Sequence, residues 1–184
     1  MEREHGSHGR FSNHETWAHF VLLTYCEESL AFWLAEAEAV RAVTRTWGRR
    51  DDIEACSGIL ARRLLRMNGP GDGGLGLHVR WDEIARELLA GDIPARPPRF
   101  PLGQQLVTPG TLATLSPLDW AVAVLLHSRG DWGEVDEEDR EENERALREG
   151  GLLLSAYHAA DGTRFYVITE ADRSATTVQL PDEC

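Results

Sequence analysis

The chain has 184 residues, of which 42% are hydrophobic, and it carries a formal net charge of −12. The hydrophobic fraction is sufficient for a packed core and excludes a wholly disordered chain. No apolar run reaches the roughly 18 residues of a transmembrane helix, so we expect no membrane partner. The negative charge disfavours direct binding of nucleic acid. Residues 1–10 lack the apolar stretch of a signal peptide, so we expect a cytoplasmic protein.

The first half of the chain has the pattern of a helical module, residues 11–92, that follows a flexible tail, residues 1–10. Ser12 and Glu15 form the S-x-x-E pattern of a helix capping box. Apolar residues at helical spacing follow in several segments, the last of which runs from Trp81 to Leu89. The glycine-rich segment 69–76 predicts a loop, and it lacks the Gly-Lys-Ser/Thr ending of a phosphate-binding loop.

A proline-rich segment, residues 93–104, separates the two halves and predicts a linker between domains. The second half, residues 105–184, predicts two helices followed by three strands. Ser116-Pro117 is a strong helix start, and a highly charged helix follows from Asp136 to about Arg148. The last segment has strand-like runs and an Asp161-Gly162 hairpin signal. We therefore expect an α+β protein, in which a helical module precedes a helix–helix pair on a three-stranded antiparallel meander.

The residue types that bind metals do not form a recognisable site in the sequence. The three cysteines, Cys26, Cys56 and Cys184, form no C-x-x-C pair. His14 and His19 superficially match H-E-x-x-H, but their spacing is one residue too long to place both on one helix face. We therefore expect neither a metal site nor a cofactor.

Two segments of the first half resemble small uncharacterised proteins of phages and plasmids. The segment Ser12-Asn13-His14-Glu15-Thr16-Trp17 resembles the N-Y-E-T-W start of those proteins, although His14 stands where they usually have Tyr. Trp81-Asp82-Glu83-Ile84-Ala85 resembles the W-x-x-I-A helix that often closes their module. The resemblance covers about residues 11–92 and implies residence on a mobile genetic element.

The second half resembles a different, plasmid-borne accessory family over about residues 105–184. The shared motifs are T-P-G at 108–110, G-D-W-G at 130–133, Asn143, S-x-Y at 155–157, D-G at 161–162 and V-I-T-E-A-D-R-S-x-T-T at 167–177. The chain departs from that family at Tyr166, where Trp is usual, and at Cys184, where Tyr is usual. This resemblance also implies residence on a mobile element, and neither family supplies an activity.

Acidic residues are concentrated in the segment 131–149, which holds ten acids and three arginines and so has a net charge of −7. A row of carboxylates on a helix can mimic a phosphate backbone and bind a protein that normally binds nucleic acid. The alternative is an ordinary solvated face, with Trp132 in the core. The residues predicted to bind a partner are Trp132, Glu134, Asp136, Glu137, Glu138, Asp139, Glu141 and Glu142.

A second hypothesis is a small enzyme or a nucleotide-binding module with a carboxylate and arginine site. Its residues would be Asp131, Glu170, Asp172 and Arg173, with a carboxylate as general base and the arginine as an anion clamp. The alternative is a turn in which Asp172 and Ser174 bind nearby amides.

A third hypothesis is a regulator that binds DNA through an arginine face of the first module. The arginines in question are Arg41, Arg45, Arg49, Arg62, Arg63 and Arg66.

The first hypothesis is favoured. It predicts a non-enzymatic accessory protein of a phage or plasmid that binds a host or element-encoded protein. The expected target is a nucleic-acid defence system, which would make the protein an inhibitor of the anti-CRISPR or anti-restriction kind.

Overall fold

The computed structural model describes residues 10–46, 48, 52–68, 78–91, 93 and 97–183. The chain divides into two compact units, residues 1–96 and 97–184. The predicted α+β class is confirmed, because the first unit is helical where it is described and the second combines helices with a sheet. The predicted tail up to residue 9, the glycine-rich loop and Cys184 lie outside the described residues. Within the described part, no helix has the length and apolarity needed to cross a membrane.

The first unit contains helices α1 (His14–Leu23), α2 (Glu27–Thr46), α3 (Ile53–Asn68) and α4 (Trp81–Ala90). Its core forms where α2, α3 and α4 turn their apolar faces toward each other, as helical spacing predicts. Val40, Leu60, Leu64 and Ile84 are completely buried there. The start of α1 differs from the predicted capping box, because Asn13 is the N-cap and accepts a hydrogen bond from the Thr16 amide at 2.8 Å. The Ser12 amide instead donates to the carboxylate of Glu83 at 2.9 Å.

The second unit contains helices α5 (Pro109–Thr114), α6 (Pro117–Ser128) and α7 (Glu137–Glu149). Ser116 caps α6 as predicted, since its hydroxyl accepts a hydrogen bond from the Asp119 amide. The short helix α5 was not predicted. It begins at Pro109, and Glu183 accepts a hydrogen bond from the Gly110 amide in its first turn at 2.9 Å.

The sheet of the second unit has four strands: β1 (Gln104–Val107), β2 (Leu153–His158), β3 (Arg164–Thr169) and β4 (Ala175–Gln179). Their spatial order is β1-β4-β3-β2. The predicted antiparallel meander β2-β3-β4 is confirmed, with Ser155 opposite Val167 and Val167 opposite Val178. Strand β1 is an addition that pairs with β4 in parallel. Helix α6 packs on the face of the sheet that carries Phe165, Val167 and Val178.

Residues 97–104, which were predicted to belong to a linker, pack within the second unit. Phe100 is 8% exposed and stacks on Trp132. The Arg99 amide donates to the Ser128 carbonyl at 2.7 Å, at the end of α6. Gly103 has φ +61°, and a Cβ there would collide with the carbonyls of Arg173 and Ser174. A glycine at 103 thus lets the chain approach the β3–β4 turn closely enough for β1 to pair with β4.

Candidate functional site

Helix α7 carries most of the predicted partner-binding residues, and the residues that flank it define where it begins and ends. Asp136 is the N-cap and accepts a hydrogen bond from the Asp139 amide at 2.9 Å. Glu137, Glu138 and Asp139 lie in the first turn, where the helix dipole favours negative charge. Gly150, with φ +82°, ends the helix.

One buried side chain, Asn143, fixes α7 against the edge of the sheet. Asn143 is 2% exposed. Its amide nitrogen donates to the Leu154 carbonyl at 2.7 Å, and its amide oxygen accepts from the Leu154 amide at 2.9 Å. Leu154 lies on the edge strand β2, so Asn143 takes the place of a neighbouring strand at that residue. The helix is therefore held in register with the sheet.

A second fixation point lies at Glu144. Both carboxylate oxygens accept hydrogen bonds from the Arg99 guanidinium, at 2.7 and 2.8 Å, and the Trp132 indole donates to one of them at 3.1 Å. The bonds from Arg99, helped by that from Trp132, lower the pKa of Glu144 from 4.5 to about 2. Glu144 is therefore used within the unit and is not part of a free acidic surface.

The other acids around the start of α7 face solvent, and we refer to this set as the acid face. Each of its residues is exposed. Arg145 forms an ion pair with Glu142, and Arg140 lies 4.0 Å from Glu137. Residues 134–142 contain seven acids and one arginine, a net charge of −6. The acid face comprises Glu134, Asp136, Glu137, Glu138, Asp139, Glu141 and Glu142.

Trp132 is the one predicted partner-binding residue that the structure places elsewhere. Its side chain is 1% exposed and packs with Phe100, Ala146 and Leu153. Because it is enclosed in the core and its indole nitrogen is bonded to Glu144, Trp132 cannot reach a partner in this structure. The prediction that it anchors a partner is therefore wrong, and the alternative position in the core is correct.

Three residues of the second hypothesis, Asp131, Asp172 and Arg173, engage separate local partners. Arg173 donates to the carbonyls of Gly151 at 2.5 Å, Glu170 at 2.9 Å and Ala146 at 3.1 Å. The guanidinium thereby pairs with the carbonyls of Ala146 and Gly151 at the end of α7, where the helix dipole favours a cation. Since its donors are directed at backbone carbonyls of its own unit, Arg173 is not placed as an anion clamp.

Two of the three carboxylates of that hypothesis, those of Asp131 and Asp172, stabilise turns. The Asp172 carboxylate accepts from the Ser174 amide at 2.9 Å, and hydrogen bonds from the Ser174 hydroxyl and amide lower the pKa of Asp172. Asp131 accepts from the Gly133 amide at 3.1 Å. Glu170 is exposed at the end of β3. The arrangement matches the alternative of turn-forming residues.

Four of the six arginines of the third hypothesis are engaged within their unit, and Arg66 is exposed on α3. The Arg41 guanidinium donates to the Leu89 carbonyl, and Arg62 donates to the Gly58 carbonyl at 3.0 Å. Arg45 pairs with Glu38 at 3.0 Å, and Arg63 pairs with Glu36 at 2.5 Å. Arg49 lies outside the described residues.

A buried polar network around His127 was missed by sequence reasoning. His127 is fully buried between α6 and the sheet. Its Nδ1 lies 2.6 Å from the Ser155 hydroxyl and its Nε2 lies 2.9 Å from the Thr169 hydroxyl. Thr169 is in turn 2.7 Å from the Thr176 hydroxyl, which donates to the Leu102 carbonyl at 2.6 Å. Burial, reinforced by the nearby charge of Arg173, lowers the pKa of His127 from 6.5 to about 3.

The donor and acceptor in each of these hydrogen bonds follow from the last group in the network, the Leu102 carbonyl. The Leu102 carbonyl can only accept, so it takes the Thr176 proton. The Thr169 proton then goes to Thr176, and Thr169 must accept from His127 Nε2. His127 is therefore the Nε2–H tautomer, and Nδ1 accepts the Ser155 proton. A serine and a histidine in contact can form a nucleophile–base pair, but Ser155 and His127 are both 0% exposed and no substrate can reach them.

Among the described residues, no group of three or more His, Cys, Asp or Glu side chains is placed to hold a metal ion. No protein-family model, no curated protein and no solved structure matches the chain.

Proposed function

We propose that this chain is an accessory protein of a phage or plasmid that binds a basic, nucleic-acid-binding host protein through the acid face of α7. In this proposal it inhibits a nucleic-acid defence system of the CRISPR or restriction kind. The observation that carries the proposal is a set of seven exposed carboxylates, five on α7 and two just before it, next to a helix that Asn143 fixes to the sheet. The resemblance of both halves to mobile-element proteins supports the cellular context.

The charge density of the acid face is close to that of DNA. Glu137 and Glu142 are five residues apart, so five acids and Arg140, a net charge of −4, lie within about 7.5 Å of helix axis. That is one net negative charge per about 2 Å, compared with one per about 1.7 Å of duplex DNA. Arg145, just beyond this segment, pairs with Glu142 and offsets part of it. A channel lined with arginines and lysines would attract this surface by the same electrostatic forces that attract a phosphate backbone.

Rigidity favours the interaction as well. Binding is weakened when a surface must be ordered at the same time, and a helix that is already fixed avoids most of that loss of entropy. The second unit carries 16 acids and 7 arginines, a net charge of −9, against 15 acids and 12 arginines in the first unit, a net charge of −3. The field that would steer a basic partner therefore originates in the second unit.

The test compares two variants that change the formal charge equally, from −12 to −8. The first replaces Glu137, Glu138, Glu141 and Glu142 by Gln. The control replaces four exposed acids of the first unit by Gln: Glu27, Glu28, Glu38 and Glu54. Each is expressed in a host with an active CRISPR or restriction system, and the transformation efficiency of a targeted plasmid is measured. Binding of each variant to the purified effector is measured as a function of salt concentration.

We expect the native chain and the control variant to protect the targeted plasmid and to bind the effector, with an affinity that falls as salt rises. The acid-face variant should lose at least about tenfold in affinity, because removing four charges slows association with a basic partner. Its remaining affinity should depend less on salt. Equal loss in both variants would point to overall charge instead of this face. Full activity of the acid-face variant would refute the proposal.

A further inference from the structure

The two edge strands of the sheet differ in whether the backbone groups on their outer side are paired. The edge strand β2 is covered at Leu154 and Ala156, two of its outward-facing residues: Asn143 bonds to both backbone groups of Leu154, and both backbone groups of Ala156 are paired as well. The Ala156 amide donates to the Trp132 carbonyl at 3.2 Å, and the Ala156 carbonyl accepts from the Glu134 amide at 2.7 Å. Gly133, with φ +65°, allows this close approach. At these two residues the backbone groups of β2 are therefore already paired and cannot bond to another strand.

The opposite edge, β1, is open. Gln104, Gln105 and Leu106 are exposed, and Leu106 is 41% exposed. No described residue pairs with the outer side of β1. The strand itself contains no charged residue and no proline, which are the usual devices that keep an edge from pairing.

The hydrogen bonds to β4 show which residues of β1 face outward. The Gln104 amide donates to the Ser174 carbonyl at 2.9 Å, and the Thr108 amide donates to the Val178 carbonyl at 3.0 Å. In a parallel ladder the backbone groups of alternate residues point to opposite sides. The backbone groups of Gln105 and Val107 therefore point away from β4.

We propose that β1 pairs with the β1 strand of a second copy of this chain, antiparallel and around a two-fold axis. The register follows from the outward-facing residues. Gln105 of each copy pairs with Val107 of the other, and each such pair exchanges two backbone hydrogen bonds. Leu106 then lies opposite its own copy in a pair without hydrogen bonds, where side chains approach most closely. The exposed Leu106 side chain of each copy is thereby covered by the Leu106 side chain of the other, which favours a second copy over an unrelated strand.

The charge distribution permits this pairing. The acid face belongs to α7, which packs along β2, three strands away from β1. Three strand spacings are about 14 Å, which exceeds the screening length of about 8 Å at physiological salt. Outside residues 131–149 the second unit has a net charge of only −2, the difference between −9 and −7. Repulsion between the two acid faces does not oppose the contact at β1.

The test uses sedimentation velocity of the full chain over a wide range of concentrations. Gln105→Pro removes an outward amide that plays no part in the β1–β4 ladder, and Leu106→Lys places two like charges opposite each other at the axis. Leu152→Lys is the matched control, since Leu152 is 48% exposed and precedes β2 at the other edge. We expect a dimer for the native chain and the control. Each of the other two variants should raise the dimer dissociation constant by at least about tenfold.

Circular dichroism shows whether each variant is folded. If Gln105→Pro is unfolded, the result for Leu106→Lys alone decides the test. A disulfide test checks the register, with Cys26 and Cys184 replaced by Ser. Leu106→Cys should cross-link two copies on mild oxidation, whereas Leu152→Cys should not. A native chain that stays monomeric at every concentration would overturn the proposal. So would a dimer that both β1 variants leave unchanged.

Discussion

Lowering the pH should destabilise the second unit through one residue, His127. In the folded chain its pKa is about 3, because the imidazole is fully buried and the Arg173 charge is close. In the unfolded chain the pKa returns to about 6.5. The folded state therefore binds fewer protons than the unfolded state between these two values.

The sign follows from this difference. A depressed histidine pKa contributes nothing above the unfolded value, where both states are neutral. Below it, the unfolded state takes up a proton that the folded state excludes, so stability falls by about 1.4 kcal/mol per pH unit until the folded pKa is reached. From about pH 7.5 to about pH 5 the loss amounts to about 2 kcal/mol. This is a large fraction of the ~5–15 kcal/mol by which a domain is usually stable.

The chosen pH window separates the titration of His127 from that of Glu144, the carboxylate whose pKa is strongly lowered. The pKa of Glu144 is lowered, so its stabilising contribution is present above its unfolded value of 4.5 and is lost only at lower pH. Urea unfolding is followed by fluorine NMR of the chain labelled with 5-fluorotryptophan. Trp132 reports on this site because its ring lies 5.6 Å from the imidazole of His127.

The control is His127→Gln, which keeps a polar side chain but cannot titrate. The variant will be less stable throughout, so the comparison concerns the change of unfolding free energy with pH and not its value. We expect the native chain to lose about 2 kcal/mol more than the variant between about pH 7.5 and about pH 5. Equal losses would refute the buried neutral histidine, as would an imidazole nitrogen NMR titration near the ordinary pKa. The same spectra should show the Nε2–H tautomer.

Two further substitutions test how the sheet is closed. Asn143→Ala should destabilise the second unit by about 2–3 kcal/mol, because it leaves the amide and carbonyl of Leu154 without their partner, and urea unfolding at neutral pH measures this loss. Exposed Asn68→Ala is the control and should change stability little; a similar small effect at Asn143 would contradict the fixation of α7. Gly103→Ala should cost about 1–3 kcal/mol, since it places a Cβ at positive φ against two carbonyls. Hydrogen exchange should then show faster exchange of β1, and unchanged protection there would disprove the close approach.

The elements that could be predicted from the sequence are those with local signals. Ser116 with Pro117 gives the start of α6, and Asp161-Gly162 gives the hairpin between β2 and β3. In the structure the Thr163 amide donates to the Asp161 carboxylate at 2.9 Å, and Gly162 has φ +87°. Each signal depends on residues a few positions apart, so the chain around it decides the conformation.

Strand β1 had no such signal. It is four residues long, and its partner Ala175 is 71 positions further along the chain from Gln104. The prolines around it suggest irregular structure, and nothing local indicates that Gly103 brings the chain against the β3–β4 turn. A parallel pairing between distant segments is a property of the whole unit and not of either segment.

The His127 network and Trp132 illustrate the same limit for side chains. The apolar run from Trp120 to Leu126 correctly predicts a buried helix, but the two hydroxyls bonded to His127 come from β2 and β3, and a third in the network comes from β4. Trp132 looks like a surface anchor because glycines and an aspartate surround it. Its burial depends on Phe100 and Glu144, which the sequence places 32 positions before it and 12 positions after it.

The order of the strands connects the two proposed surfaces. Because α7 packs along β2 while β1 lies at the other edge, self-pairing through β1 would leave both acid faces at the outer ends of an eight-stranded sheet, twice the four strands of one copy. A dimer of this form presents two separate acidic helices, and simultaneous binding to two basic sites would raise the apparent affinity without any new contact. Substitution of Gln105 removes only the pairing and leaves Asn143 and the acid face as they are. Affinity of a monomeric variant for a single effector should therefore survive, while the gain from two-site binding disappears.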